Sequence, residues 1–331
     1  MPSLQCCKKD KFAVPQVSII TALHNKGSYV AETIQSVLAQ TISDLELIVV
    51  ENGSTDNGPE IVRQFSDTRI RLVVSPKCGP GAARNFGLDL ATGEWILFLD
   101  ADDLIESDYL QQAIKCANRA NADMVISRWQ KFLESPAKRL EEEKSTCEGR
   151  IHAQVLDSAI VFTPWPIHAA LVKHRILARE LWWPEQMDGY LGEDTVFWFR
   201  LLTTTCNWVC HPVVGALYRW KTPDCRTQNE DVGKWFEGLH KCACENVRLL
   251  AERGIHPTPT QAENLMRLYE GLYKLARQKE NRMVEKESIK YARQWLIRCL
   301  DSSWLRPALL GRRLLGFRVF NLIKQCVRSQ N

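Results

Sequence analysis

Long apolar runs are missing from this 331-residue chain. No run of roughly 18 uncharged apolar residues, which a transmembrane helix needs, exists, so none is expected. Residues 1–11 hold no apolar core of the kind a secretory leader carries, so no leader is expected either. The strand-to-helix glycine fingerprint of dinucleotide sites is absent, and so is the P-loop. There is no Cys-x2-Cys pair. The loose group Cys206, Cys210, His211, Cys225, His240, Cys242 and Cys244 matches no zinc-finger spacing. The 12 cysteines are therefore read as free thiols of a reducing compartment. A composition of 45% apolar and 25% charged residues excludes collagen, long disorder and a small disulfide scaffold. The length suits one large domain or two modest ones.

Acidic residues are missing from 302–331. That segment carries Arg306, Arg312, Arg313, Arg318, Lys324 and Arg328 among Leu, Phe, Val and Ile. Its +6, set against +4 for the whole chain, leaves −2 for the residues before it. A basic, apolar, acid-free tail suits an anionic membrane surface, where each Lys or Arg is worth about 1 kcal/mol before screening. The bland alternative is a last helix packed on the protein's own core. Nucleic acid is not an expected partner, because the basic residues have no interleaved stacking platforms.

What is present begins with a rhythm. Residues 17–22 read as a buried strand, and 45–50, 70–74 and 95–99 as further strands. Helical patterns fall between them at 28–39, 59–65 and 81–90. Continuous apolar runs separated by helix-sized gaps predict a parallel sheet covered on both faces. A helix after Ser107 and a strand at 124–127 follow. Residues 133–150 read as a charged loop whose Glu141, Glu142 and Glu143 form a solvated face. Beyond Trp235 the spacing of Leu265, Leu268, Leu272 and Leu275 is helical, as is that of Trp295, Leu296, Cys299 and Leu300.

Ligands in such sheets bind at the carboxyl ends of the strands. After the second strand comes Glu51-Asn52-Gly53-Ser54-Thr55-Asp56. After the fourth comes Asp100-Ala101-Asp102-Asp103. Three carboxylates in four residues repel one another, and burial raises their pKa values. A divalent cation would resolve the conflict. Hard oxygen ligands favour Mg²⁺ or Mn²⁺, which bridge to phosphates. Asp100 and Asp102 thus suggest a metal–diphosphate site.

Four blocks in order, VSIITALHNKGSYVAETIQSVLAQT, LELIVVENGSTD, GPGAARNFGLDLATGEW and ILFLDADD, resemble the nucleotide-binding half of an inverting family 2 glycosyltransferase. LGEDTVFWFRLL (residues 191–202) resembles that family's acceptor-side acidic block, and LYRW (217–220) its closing segment. The resemblance implies a GT-A fold: α/β, a Rossmann-like mostly parallel sheet flanked by helices, with a C-terminal helical extension. The expected organisation is an N-terminal extension at 1–15, a glycosyltransferase domain at 16–230 with donor (16–110) and acceptor (111–230) halves, a helical region at 231–301 and the basic apolar tail at 302–331.

The resemblance also implies roles. Ala22, Leu23, Asn25, Glu51, Asn52, Arg84, Asp100, Ala101 and Asp102 would contact the nucleotide-sugar. Asp102, with Asp100, would hold Mn²⁺ or Mg²⁺. Asp194 would be the general base, with Glu193 beside it; acids there also suit a helix N-terminus. Lys221 stands where relatives often carry a His and would approach the diphosphate. His168 and Trp183 would line the acceptor wall or else pack in the core. Asn52 replaces a usual acid and accepts hydrogen bonds with less charge assistance; UDP is the first choice of nucleotide. The Gln-x-x-Arg-Trp block of processive synthases is absent, which favours addition of a single sugar.

The expected function is metal-dependent, inverting transfer from a nucleotide-diphospho sugar to a glycan or lipid-linked acceptor. The expected location is cytoplasmic, with peripheral contact at the inner membrane face. The competing readings are a non-catalytic nucleotide-sugar-binding scaffold and, behind it, a nucleotidyltransferase.

Overall fold

The computed structural model describes residues 15–143, 152–163, 165–204, 207–220 and 231–300. It opens with the expected alternation. β1 (Val17–Leu23), β2 (Leu45–Glu51), β3 (Ile70–Val74) and β4 (Trp95–Phe98) enclose α1 (Gly27–Leu38), α2 (Gly58–Arg63) and α3 (Pro80–Leu90). β1 pairs in parallel with β2 on one side and β4 on the other, and β2 pairs with β3. Val17, Ile19, Leu47 and Val49 pack one face, against Val30 and Ile34 of α1. Ile20, Ile48 and Val50 pack the other face, against Ala83 and Leu88 of α3. Burial on both faces is why these strands read as unbroken apolar runs.

The second half is less regular. β5 (Leu104–Ile105), α4 (Tyr109–Ala120), β6 (Met124–Phe132), β7 (Arg139–Glu143), α5 (His152–Ala159), β8 (Ala170–Lys173), α6 (Glu193–Leu202) and β9 (Trp208–Arg219) follow in order. The sheet runs β3-β2-β1-β4-β8-β6-β9-β5, with β7 added to β6. It becomes mixed beyond β4, because β8 runs antiparallel to both β4 and β6. β6 therefore runs with β4, and β9 lies parallel to β6. The carboxyl ends of β1, β2, β4, β6 and β9 thus emerge at one edge. The charged loop expected at 133–150 is partly a strand. β6 reaches Phe132 rather than stopping near 127, and its far half needs a hydrogen-bonding partner. The turn closed by Lys138 N–H to Ser135 O (2.8 Å) brings β7 back to supply one.

α7 (Val232–Glu252), α8 (Pro259–Gln278) and α9 (Arg282–Leu300) form the helical extension. α8 opens on a capping box: Gln261 N–H donates to Thr258 Oγ1 at 3.1 Å, and Thr258 N–H donates to Gln261 Oε1 at 3.0 Å. Leu265, Met266, Tyr269, Trp295 and Leu296 join the same buried cluster as Ile20, Phe98 and Phe197. The helices and the sheet thus share one core, whose apolar burial at about 25 cal/mol per Å² is the main force holding them together. Among the described residues no helix is long and apolar enough to cross a membrane. The segments 1–14 and 302–331 lie outside the described residues. Of the cysteines, Cys78, Cys116, Cys242, Cys244 and Cys299 are free, as expected. Cys210 departs from that expectation and is disulfide-bonded.

Candidate active site

The loops after β1 and β2 are zipped together. Asn52 N–H donates to Leu23 O at 2.9 Å, and the His24 ring nitrogen Nδ1 lies 2.9 Å from Asn52 O. Asn25 adopts a left-handed φ of 52°, and its Oδ1 accepts from Thr55 N–H at 2.8 Å. α1 starts at Gly27, whose N–H donates to Asp56 Oδ2 at 2.7 Å. A Cβ at Gly27 would meet Asn57 Oδ1 at 2.4 Å, so only glycine lets the two loops close this tightly. Glu51 accepts from Ser54 N–H. Asn52 is buried, and its amide oxygen accepts from Gly79 N–H at 3.1 Å. One lone pair of the oxygen expected to meet a nucleobase is therefore spent on the loop before α3. Ala22 is half-buried at the same strand end.

The acidic loop after β4 is met by cations from two directions. Arg84 Nη2 donates to Asp100 Oδ1 at 2.8 Å. Its Nη1 lies 3.9 Å from Glu193 Oε1, and its guanidinium carbon sits 4.3 Å above the Trp183 ring. Arg84 and Glu193 are each only 5% exposed. Arg84 thus links the acidic loop after β4 to the first residue of α6. Asp102 Oδ2 faces Lys26 Nζ at 2.8 Å. Burial pushes the Asp102 pKa up, Lys26 opposes this, and the charge of Asp100 adds to the rise. Ala101 is buried, and its carbonyl accepts from Thr33 Oγ1 at 3.0 Å.

Asp103 turns inward. Its Oδ1 accepts from Arg219 N–H at 2.7 Å, and its Oδ2 lies 3.3 Å from His168 Nδ1, without hydrogen-bond geometry. Both side chains are fully enclosed. Burial, reinforced by Asp102 and Asp100, holds the Asp103 pKa well above the usual carboxylate range. Burial lowers His168 to about 4. His168 therefore stands beneath the acidic loop rather than on an open wall. Arg219 also donates through Nε to Asp102 O and through Nη2 to Glu32, both at 2.7 Å.

Asp194 is half-buried in the first turn of α6, where its Oδ1 accepts from Thr195 N–H at 2.8 Å. The buried Cys242 thiol of α7 is pushed up by burial and next by the charge of Asp194, which puts that carboxylate beside α7. Asp188 accepts from Gly81 N–H at 2.7 Å and Ala82 N–H at 3.0 Å, and so closes the N-terminus of α3. Burial raises its pKa, and Glu193 adds to the rise. Trp183 is in the core, stacked on Phe197 at 4.3 Å and 2°, and backs Arg84 rather than offering an open face. Lys221 lies outside the described residues.

The structure thus brings Asp100, Arg84 and Glu193 together, and Asp102 with Lys26. Residues the sequence reading did not single out are Lys26, Asp188 and Arg219. Lys26 carried a usable signal, as a cation in the loop after the first strand. Among the described residues no group of three or more His, Cys, Asp or Glu side chains converges as a metal cage. Two carboxylates remain, Asp100 and Asp102, which suit a cation that completes its shell with substrate oxygens and water.

Residues 18–171 match the family model described as "Glycosyl transferase family 2". Among curated relatives, the chain is 34% identical over 131 residues to a putative glycosyltransferase, EpsH, of Bacillus subtilis; the match covers 39% of this chain and 38% of EpsH. It is 27% identical over 259 residues to the glycosyltransferase GlyA of Streptococcus pneumoniae, covering 72% of this chain and 35% of GlyA. The chain therefore spans little more than a third of either relative. Among solved structures, the 1–349 segment of S. aureus TarS in complex with UDP-GlcNAc superposes with a TM-score of 0.56 at 18% identity, over 85% of this chain and 88% of that one. That likeness shows the fold, GT-A.

Proposed function

Because residues 18–171 match the glycosyl transferase family 2 model, we propose that this chain is a member of that family and transfers a single sugar, with inversion, from a nucleotide-diphospho sugar to a glycan or lipid-linked acceptor. The observation that carries this reading is the Arg84 bridge between Asp100 and Glu193. It joins the donor acids to the residue next to Asp194. One site then holds two separate sets of carboxylates, one for the diphosphate side and one for the acceptor.

UDP is the favoured nucleotide. Ala22, Leu23, Asn25, Glu51 and Asn52 line the joined loops that would receive the nucleoside. Asp102 and Asp100 would hold Mn²⁺ or Mg²⁺ with the diphosphate. The fit rests on their hard oxygens, two carboxylates in the one loop after β4. When bound there, the ion supplies Lewis-acid stabilisation of the departing diphosphate. Asp194 takes the proton of the acceptor hydroxyl. The oxygen attacks the anomeric carbon from the face opposite the diphosphate, the carbon–oxygen bond to the diphosphate breaks, and its electron pair leaves with that group. Arg84 keeps Glu193 and Asp100 from repelling each other while the charge moves. The tail 302–331 would keep the protein at the inner membrane face.

The test is a thermal-shift panel of UDP, dTDP, GDP and CDP, each with and without Mn²⁺. A nucleotide at about 100 times its Kd adds about 2.7 kcal/mol to the folded state. Stabilisation by one diphosphate, dependent on the metal, is the expected result. No shift with any of the four overturns the donor assignment.

A further inference from the structure

Trp183, the aromatic residue the sequence offered for an acceptor wall, is enclosed, but a different set of rings stands at the active edge. β6 and β9 are paired in parallel from Met124↔Trp208 to Phe132↔Arg219. Side chains alternate across such a ribbon, so residues paired across it share a face. Trp129 is paired with Ala216 and Lys131 with Tyr218, and Trp220 follows Tyr218 by two. Trp129, Lys131, Tyr218 and Trp220 thus make one stripe, and each is half-buried. Trp129 and Tyr218 meet edge to face at 6.1 Å, and Tyr218 and Trp220 lie 6.1 Å apart. The Lys131 ammonium stands between the indoles, 5.6 Å from the Trp129 ring and 4.5 Å from that of Trp220.

Two features tie the stripe to the site. β6 and β9 run in the direction of β4, so these residues leave the sheet at the edge that carries Asp100 and Asp102. Arg219, immediately before Trp220, is bonded through its backbone to Asp103 and through its side chain to Asp102 O. The face is also fixed. Trp129 packs against the buried cluster that contains its register partner Ala216.

We infer that Trp129, Tyr218 and Trp220, with Lys131 between them, form a saccharide-binding platform that holds the acceptor glycan as it runs toward Asp194. The inference rests on the transferase reading and names the acceptor class of that site. An aromatic face carries negative charge and attracts the electropositive C–H face of a sugar ring, as it attracts a cation. The phenol of Tyr218 and the ammonium of Lys131 can hydrogen-bond the hydroxyls at the rim. Trp129 and Tyr218 stand at 89° to each other and Tyr218 and Trp220 at 53°, so the rings lie along one strand end in differing orientations, which suits a glycan that bends across them.

The experiment titrates the full chain with chitotetraose, maltotetraose and cellotetraose by ligand-observed NMR, alongside the UDP–Mn²⁺ thermal shift. At least one tetrasaccharide should bind saturably. Trp220→Ala and Trp129→Ala should each weaken it about tenfold, while Trp220→Tyr retains it. The UDP–Mn²⁺ shift should persist in all three variants, which also shows that they are folded. If no tetrasaccharide binds, or if binding is indifferent to both alanine variants, the platform is overturned and the donor reading stands. If the tetrasaccharide binds through Trp220 while UDP gives no shift, the donor reading falls and the platform stands.

Discussion

Lys26 Nζ lies 2.8 Å from Asp102 Oδ2, each side chain being 18% exposed. The loop after β1 thereby supplies a positive charge to the acidic loop after β4. Asp102→Asn removes the negative charge of this pair and one anionic ligand from the site. The expected outcome is loss of the metal-dependent part of the UDP thermal shift. A shift that keeps its full Mn²⁺ dependence in this variant takes Asp102 out of the donor site.

Asp194→Asn keeps the size of the side chain and an oxygen that can accept from Thr195 N–H, but removes the carboxylate proposed as the base. Transfer should fall by about 10²–10⁴-fold. The UDP–Mn²⁺ thermal shift should stay at the level of the unaltered protein. Turnover within a factor of about two would assign the base elsewhere.

Arg84→Met leaves Asp100 and Glu193 facing each other without the guanidinium between them, and removes the cation held over Trp183. Glu193 is buried, whereas Asp100 keeps solvent contact, so the loss is smaller than for a fully enclosed pair. Urea unfolding should show about 2–3 kcal/mol of destabilisation. Arg84→Lys should recover only part of this, because an ammonium cannot present two donors in one plane. An unchanged urea midpoint in Arg84→Met would show that the bridge carries no stability.

Glu46 gives a test remote from the site. Its Oε1 accepts from Ser18 Oγ at 2.7 Å, and from Thr92 N–H and Oγ1 at 2.8 Å each. Burial pushes its pKa up, but these bonds and Arg71 outweigh burial and leave it lowered. A carboxylate with a lowered folded pKa stabilises the fold above its unfolded value, and that contribution is lost as pH falls through the folded value. Glu46→Gln should cost about 1–2 kcal/mol at neutral pH, and the deficit should shrink in acid below about pH 4. A deficit that stays constant from pH 7 to acid would contradict the ionic role.

The half of the chain from β1 to β4 was legible because β1, β2 and β4 are buried on both faces and so leave uninterrupted apolar runs, with acids at the ends of β2 and β4. The half beyond β4 was harder to read. β7 carries charges and owes its existence to the open flank of β6, which no local pattern reveals. Trp182 and Trp183 are neighbours of one type, yet only Trp183 stacks on Phe197, because the chain between β8 and α6 turns that residue inward. Arg219 was invisible as a site residue because its side-chain partner, Glu32, is 187 positions away. Asp188 resembles any loop acid until the fold brings it to the first turn of α3.

The bond from Arg219 N–H to Asp103 spans 116 positions. A chain growing from its N-terminus completes β1 to β4 and the acidic loop long before it makes Arg219. Contacts between distant positions close late, after the local ones. The nascent protein therefore passes through an interval in which these strands exist but the acids after β4 lack the backbone anchor from β9. The order of synthesis thus separates the making of the strands from the moment the acidic loop is locked, which needs a chain translated past residue 219.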